Sequence, residues 1–152
     1  MATMADAGVK PIVRRRYSHL SGIDSGVWSA LLEERGRRFE RVWYDVWCGD
    51  GEGVDTPSGG AGRRLSDGIY CKRIDVVTLC QGLYIIWEVK PWGNCIALGQ
   101  VLMYGELFRR RYQDCRPIQL AIVCASQDPD CVRIMDAQKV WCHKVGLRSI
   151  GL

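Results

Sequence analysis

Two runs of β-branched and aromatic residues, Arg73 to Cys80 and Leu83 to Lys90, flank the dipeptide Gln81-Gly82, and no other stretch constrains the fold as tightly. Such runs around two turn-prone residues predict a tight antiparallel hairpin. With Gln81 and Gly82 as the loop, Cys80 opposes Leu83, and counting outward pairs Val76 with Trp87 and Asp75 with Glu88. Alternation along the strand places Lys90 on the face of Glu88. Like charges opposite one another on neighbouring strands repel, so a cation, a proton or solvent must relieve them. Two carboxylates and an ammonium group in this relation point to a divalent metal. Apolar residues occupy both faces of the hairpin: Val77, Leu79, Tyr84 and Ile86 beside the acids, Ile74, Val76, Ile85, Trp87 and Val89 opposite. Covering elements are therefore expected on both sides of a sheet.

The rest of the chain supplies them. Residues 1–20 read as a basic peripheral arm, and 21–152 as one domain. From Ser25, the apolar positions Val27, Trp28, Ala30, Leu31 and Leu32 predict an amphipathic helix ending near Gly36. Arg41 to Cys48 reads as a strand. Residues 49–62 hold six glycines and a proline and read as a loop that orders only through outside contacts. After Pro91-Trp92-Gly93, Asn94 is a candidate N-cap for a helix from Cys95 to about Tyr112, whose last turn is cationic. Ile118 to Cys124 predicts a third apolar strand of the sheet core, and a last helix is expected from Asp128 or Asp130 to about His143. The predicted order is α-β-β-β-α-β-α.

Composition narrows the functional classes. The 152 residues, 47% hydrophobic and 25% charged, suit one globular domain with a real core. No apolar run reaches membrane-spanning length and the first residues carry no apolar signal segment, so a cytoplasmic protein with no membrane partner is expected. Eight cysteines without any Cys-x-x-Cys are read as reduced thiols rather than as a disulfide framework or a compact cluster site. Net charge is only +4, but arginines are bunched at 14–16, 35–38, 63–64 and 109–111. Basic clusters of this kind bias the reading toward nucleic acid.

In the long helix Gln100 and Tyr104 are four apart and share a face. Asp75, then Glu88-Val89-Lys90, then Gln100-x-x-x-Tyr104 resemble the motifs of the PD-(D/E)xK nuclease superfamily, in the RecB-like and phage branch with a Gln-x-x-x-Tyr helix. The resemblance covers about residues 25 to 125 and departs from the family pattern at Ile74, where proline is usual. It implies a restriction-endonuclease-like αβββαβ core, an α/β fold with a mixed central sheet flanked by helices. It further implies that Asp75, Glu88 and the Val89 carbonyl hold Mg²⁺ or Mn²⁺, that Lys90 orients or activates the attacking water, and that Gln100 and Tyr104 reach toward the scissile phosphate, the DNA backbone or a base. The first helix often supplies one more acid in this family, here Glu34 or its neighbour Glu33, with Glu34 preferred. Arg63, Arg64, Lys72, Arg73, Arg109, Arg110 and Arg111 are the candidate DNA contacts.

The expected function is thus a small metal-dependent deoxyribonuclease of phage or mobile-element type, active in DNA processing or recombination, with a homo-oligomer or a larger assembly as candidate context. The alternative is a catalytically silent DNA-binding or viral assembly module on the same scaffold. Intact Asp75, Glu88 and Lys90 argue for the first. A zinc or redox cysteine protein is disfavoured by the dispersed thiols.

Overall fold

A computed structural model describes residue 4, residues 7–49 and residues 72–147. Helix α1 (Gly22–Arg35) leads through a short 3₁₀ turn into strand β1 (Arg41–Trp47). The hairpin β2 (Arg73–Cys80) and β3 (Leu83–Gly93) follows, then α2 (Cys95–Arg111), β4 (Ile118–Gln127), α3 (Pro129–Ala137) and β5 (Trp141–Lys144). The five strands form one mixed sheet in sequence order. β1–β2 and β2–β3 pair antiparallel, whereas β3–β4 and β4–β5 pair in parallel. The αβββαβ order expected from sequence is present, extended by α3 and β5. Among the described residues, no helix is long and apolar enough to cross a membrane.

The hairpin forms as its turn chemistry dictates. Gln81 and Gly82 both take positive φ, 50° and 77°, the geometry of a type I′ turn whose twist matches the strands it joins. Cys80 opposes Leu83 and Val76 opposes Trp87, the predicted register. One core packs α1 through Val27, Trp28, Leu31 and Leu32 onto Val76, Ile85, Trp87 and Val89. The opposite core packs α2 and α3 onto Val77, Tyr84, Ile86 and Ile122. Trp28 sits in an aromatic cage of Phe39, Tyr44 and Trp87, and its indole N–H donates to the Tyr44 hydroxyl at 3.0 Å.

Several boundaries differ from the sequence reading. α1 starts three residues early, at Gly22. The last helix ends at Ala137, because Lys139 turns into the left-handed region (φ 56°), and residues 141–144 become an edge strand. Ile74 packs with the α2 core rather than the α1 core. The basic arm is not wholly peripheral: Val9 exchanges backbone hydrogen bonds with Val42, covering the free edge of β1, and buried Tyr17 shares a hydrogen bond with Ser29. Of the glycine-rich 49–62 segment only Gly49 lies within the described residues, and Arg63 and Arg64 lie outside them.

Candidate active site

The sheet forks between β2 and β3. Their ladder runs outward from the turn and stops at Val76↔Trp87, while β2 stays paired with β1 through Val46↔Ile74 and Trp47↔Arg73. Asp75 and Glu88 are consequently not a ladder pair, as strict continuation of the register had predicted. The Val89 N–H, which a regular strand would give to the Ile74 carbonyl, is taken by the Asp75 carboxylate at 3.0 Å. N–H and C=O of one strand residue point to the same side, so the Val89 carbonyl faces the same gap.

Glu88 is 1% exposed, one of the few buried charged residues of the core. Its Oε1 receives the Lys90 ammonium at 3.0 Å, and its Oε2 is buried with no hydrogen-bond partner. Burial first, and the neighbouring Asp75 charge second, push the Glu88 carboxyl up to about 8, with Lys90 pulling the other way. Asp75 is raised for the same leading reason, against the Val89 hydrogen bond and Lys90. For Lys90, partial burial works to lower proton affinity, but Glu88 and Asp75 win and the net shift is upward. The ammonium therefore stays charged at neutral pH. Two crowded carboxylates and one lysine leave the site short of positive charge.

α2 begins directly beyond β3. Asn94 caps it, its side-chain oxygen accepting from the Ile96 and Ala97 N–H groups at 3.1 and 3.2 Å. Along this helix Tyr104 is buried and its hydroxyl is raised to about 12 by burial and then by the Glu88 and Asp75 charges, with the Gln100 amide opposing the shift. Gln100 Oε1 is itself buried and unpartnered. The structure thus gathers Asp75, Glu88, Lys90, Gln100 and Tyr104 into one locality.

Glu34 is not part of it. Its carboxylate meets the His143 ring at 3.0 Å, on the far stretch of α1. The α1 acid felt by Asp75, Glu88 and Lys90 is Asp24, in the first turn. Ten residues of helix, about 15 Å, separate the two. The start signal Ser21-x-x-Asp24, in which Ser21 Oγ donates to the Asp24 carboxylate at 2.8 Å, is the sequence cue that would have found it. Asp45 was also missed. It sits on β1 across from Asp75, between the pairs Tyr44↔Val76 and Val46↔Ile74, with a left-handed φ of 55°. Its Oδ2 meets Arg73 at 2.7 Å and His19 at 2.8 Å, while Oδ1 is buried and unpartnered. A lone aspartate inside an apolar strand pattern was the available signal.

The candidate DNA contacts divide. Arg73 is held by Asp45 and lies over the Trp47 ring at 4.3 Å, and Lys72 beside it is exposed. Arg111 reaches the Gly49 carbonyl, Arg110 pairs with Glu106 and Arg109 is exposed. The seven described cysteines are all free thiols. No group of three or more His, Cys, Asp or Glu side chains poised to hold a metal occurs among the described residues.

No protein-family model matches this chain, and no curated protein matches it. Among solved structures, a repair endonuclease from Pyrococcus abyssi aligns with 49% of this chain and 33% of its own length, at 16% identity and a TM-score of 0.43. The functional reading rests on the site itself.

Proposed function

We propose that this protein is a metal-dependent deoxyribonuclease that hydrolyses phosphodiester bonds at the β2–β3 fork. One observation carries the reading: a fully buried glutamate with an unpartnered oxygen, crowded by a second carboxylate and ion-paired to a lysine two residues on. A buried charge so placed is costly unless a cation completes it.

The donor set suits a hard divalent ion such as Mg²⁺ or Mn²⁺. Asp75, Glu88 Oε2 and the Val89 carbonyl offer oxygens alone, and such ions favour oxygens while retaining water. Bound there, the ion supplies electrostatic stabilisation of charge developing on the phosphate oxygens. Lys90 holds the attacking water and balances charge at the phosphorus. Gln100 presents its amide to the phosphate or the water, and the Tyr104 hydroxyl, kept protonated by its surroundings, donates toward the DNA. Asp24 is the α1 acid that adds negative charge to the cation site. Lys72, Arg73 and the Arg109–Arg111 turn bind the phosphate backbone.

Purified protein incubated with plasmid, linear, single-stranded and four-way-junction DNA is expected to cleave in Mg²⁺ or Mn²⁺ but not in Ca²⁺. Glu88→Ala and Lys90→Ala should abolish cleavage and leave DNA binding largely intact. Unchanged cleavage by either variant would refute the assignment. The lack of a third metal-ligating side chain among the described residues favours a second reading, a DNA-binding module on the same scaffold, which binds all four substrates without hydrolysis.

A further inference from the structure

Helix α1 stops short of covering its face of the sheet. Its buried stripe runs Val27, Trp28, Leu31 and Leu32, and the next position on that stripe, four residues past Leu31, is Arg35. The 3₁₀ turn that follows carries Arg38 and leads to buried Phe39. Here a cleft of about 640 Å³ opens, with Phe39, Leu83, Ile85 and Trp87 as its apolar lining. Phe39 and Trp87 meet edge to face, their ring centroids 6.0 Å apart. Trp141 of β5 lines the same cleft. Ala121 of β4 has Trp87 as its ladder partner on one side and Trp141 on the other, so β4 offers the Trp141 ring only a methyl group there. That ring is 50% exposed. His143, also in the lining, meets Glu34 at 3.0 Å and ties the end of α1 to β5.

Arg35, Arg38, Gln81 and Asp136 complete the lining, and all four are exposed. Among the described residues neither guanidinium has a hydrogen bond or an ion pair. A cleft of this size with an apolar floor and a few polar groups is the common form of a small-ligand site. Two uncompensated guanidinium groups call for an anion, and their planar forks suit the oxygens of a phosphate. A half-open indole beside apolar rings calls for a planar ring to stack on it. The Asp136 carboxylate can accept from hydroxyls, and the Gln81 amide can both donate and accept.

We infer that this cleft binds a nucleoside phosphate, with its base on Trp141, its phosphate on Arg35 and Arg38, and its sugar hydroxyls donating to Asp136. The site is separate from the acids. Leu83, Ile85 and Trp87 belong to the α1 face of β3, whereas Glu88 and Lys90 alternate with them and face α2. The cleft also takes in Gln81 of the hairpin turn, at the opposite end of the hairpin from the fork. The inference does not depend on the nuclease reading.

The test is isothermal titration calorimetry of the full chain with adenosine 5′-monophosphate, adenosine or inorganic phosphate, in EDTA so that no divalent ion occupies the acids. The monophosphate should bind, and adenosine or phosphate alone should bind about tenfold more weakly or less. Trp141→Ala should weaken binding of the monophosphate by about fivefold or more, and Trp141→Phe should retain most of it. Arg35→Ala and Arg38→Ala, at exposed positions, should each weaken it by about two- to fivefold, and the double variant by more than either. Lys90→Ala, in the site at the fork, should leave it unchanged. Thermal melts confirm that each variant folds. No binding at monophosphate concentrations up to about 2 mM would overturn the inference. So would equal affinity for adenosine or for phosphate, or binding that survives Trp141→Ala undiminished. Binding lost in Lys90→Ala would move the nucleotide to the fork and overturn it as well.

Discussion

Replacing Glu88 by glutamine removes a buried charge while keeping the shape of the side chain, and Gln can still accept the Lys90 ammonium through its carbonyl. In the folded protein the Glu88 carboxyl holds its proton up to about 8, against an ordinary value near 4.5. A folded-state affinity raised in this way favours folding fully below the ordinary value, and the benefit is lost as pH rises through about 8. The displacement corresponds to about 5 kcal/mol at most, at about 1.4 kcal/mol per pH unit. Asp75 titrates with Glu88 while Lys90 stays charged beside both, so the part recovered by Glu88→Gln at pH 8 is about 2–4 kcal/mol. For a domain of this size that is a rise in Tm of about 5–15 °C. Thermal melts of both proteins from pH 4 to pH 9 should show the curves meeting at the acid end, diverging progressively between about pH 4.5 and about pH 8 and running parallel above that, with the variant more stable. Mg²⁺ at a hundredfold excess over its dissociation constant should stabilise the wild type by about 2.7 kcal/mol and close much of the gap. A variant less stable than wild type at pH 8, or an equal Mg²⁺ response in both, would refute the picture of Glu88 as an under-compensated buried charge awaiting a cation.

Three further outcomes follow from particular contacts. Asp24→Asn should raise the Mg²⁺ concentration for half-maximal cleavage by about three- to tenfold, the effect of about 1 kcal/mol of lost attraction, whereas Glu34→Gln should leave it unchanged; a metal titration of activity distinguishes them. Gly105→Ala would bring a methyl within 2.6 Å of the Leu120 side chain at the α2–β4 contact, so chemical denaturation should show a loss of about 1–3 kcal/mol despite the better helix propensity of alanine. Thr78→Val removes the acceptor of the Trp87 indole N–H, bonded at 2.9 Å in the α1 core, and should cost about 1–3 kcal/mol by the same measurement because that donor is left buried and unpaired.

What sequence made legible was local or strictly periodic. The hairpin was readable because a two-residue turn fixes register, and the start of α2 because Asn94 caps it within three residues. β5 was not readable: Trp141-Cys-His-Lys144 is too short for periodicity and becomes a strand only because β4 offers a free parallel edge. The run of β3 through Pro91 was equally hidden. In β3 the odd-numbered residues direct their N–H groups toward β2, and β2 has left β3 by that point, so the missing donor of Pro91 costs no ladder bond. Gln100 and Tyr104 were brought to the acids as their spacing suggested. Glu34 was misplaced because helical periodicity orders a helix's faces but not which of its ends lies over the fork.

The fork itself explains why these failures cluster. β2 is held to β1 beyond the point where it leaves β3, and the hold includes the Asp45–Arg73 ion pair, which ties residue 45 to the strand it opposes. That tie comes with Asp45 in a left-handed conformation and one oxygen buried without a partner, a conformational cost of about 1–3 kcal/mol that surrounding contacts must offset. Closing the fork would let Ile74 take back the Val89 N–H, continue the ladder and bring Asp75 directly opposite Glu88, where like charges repel. The acids therefore favour the open arrangement, and in it Glu88 Oε2, Asp45 Oδ1 and Gln100 Oε1 are buried acceptors without a partner, alongside one buried donor, Arg111 Nε. Three of these four unmet groups are acceptors, which is the character a site for a positively charged ligand requires.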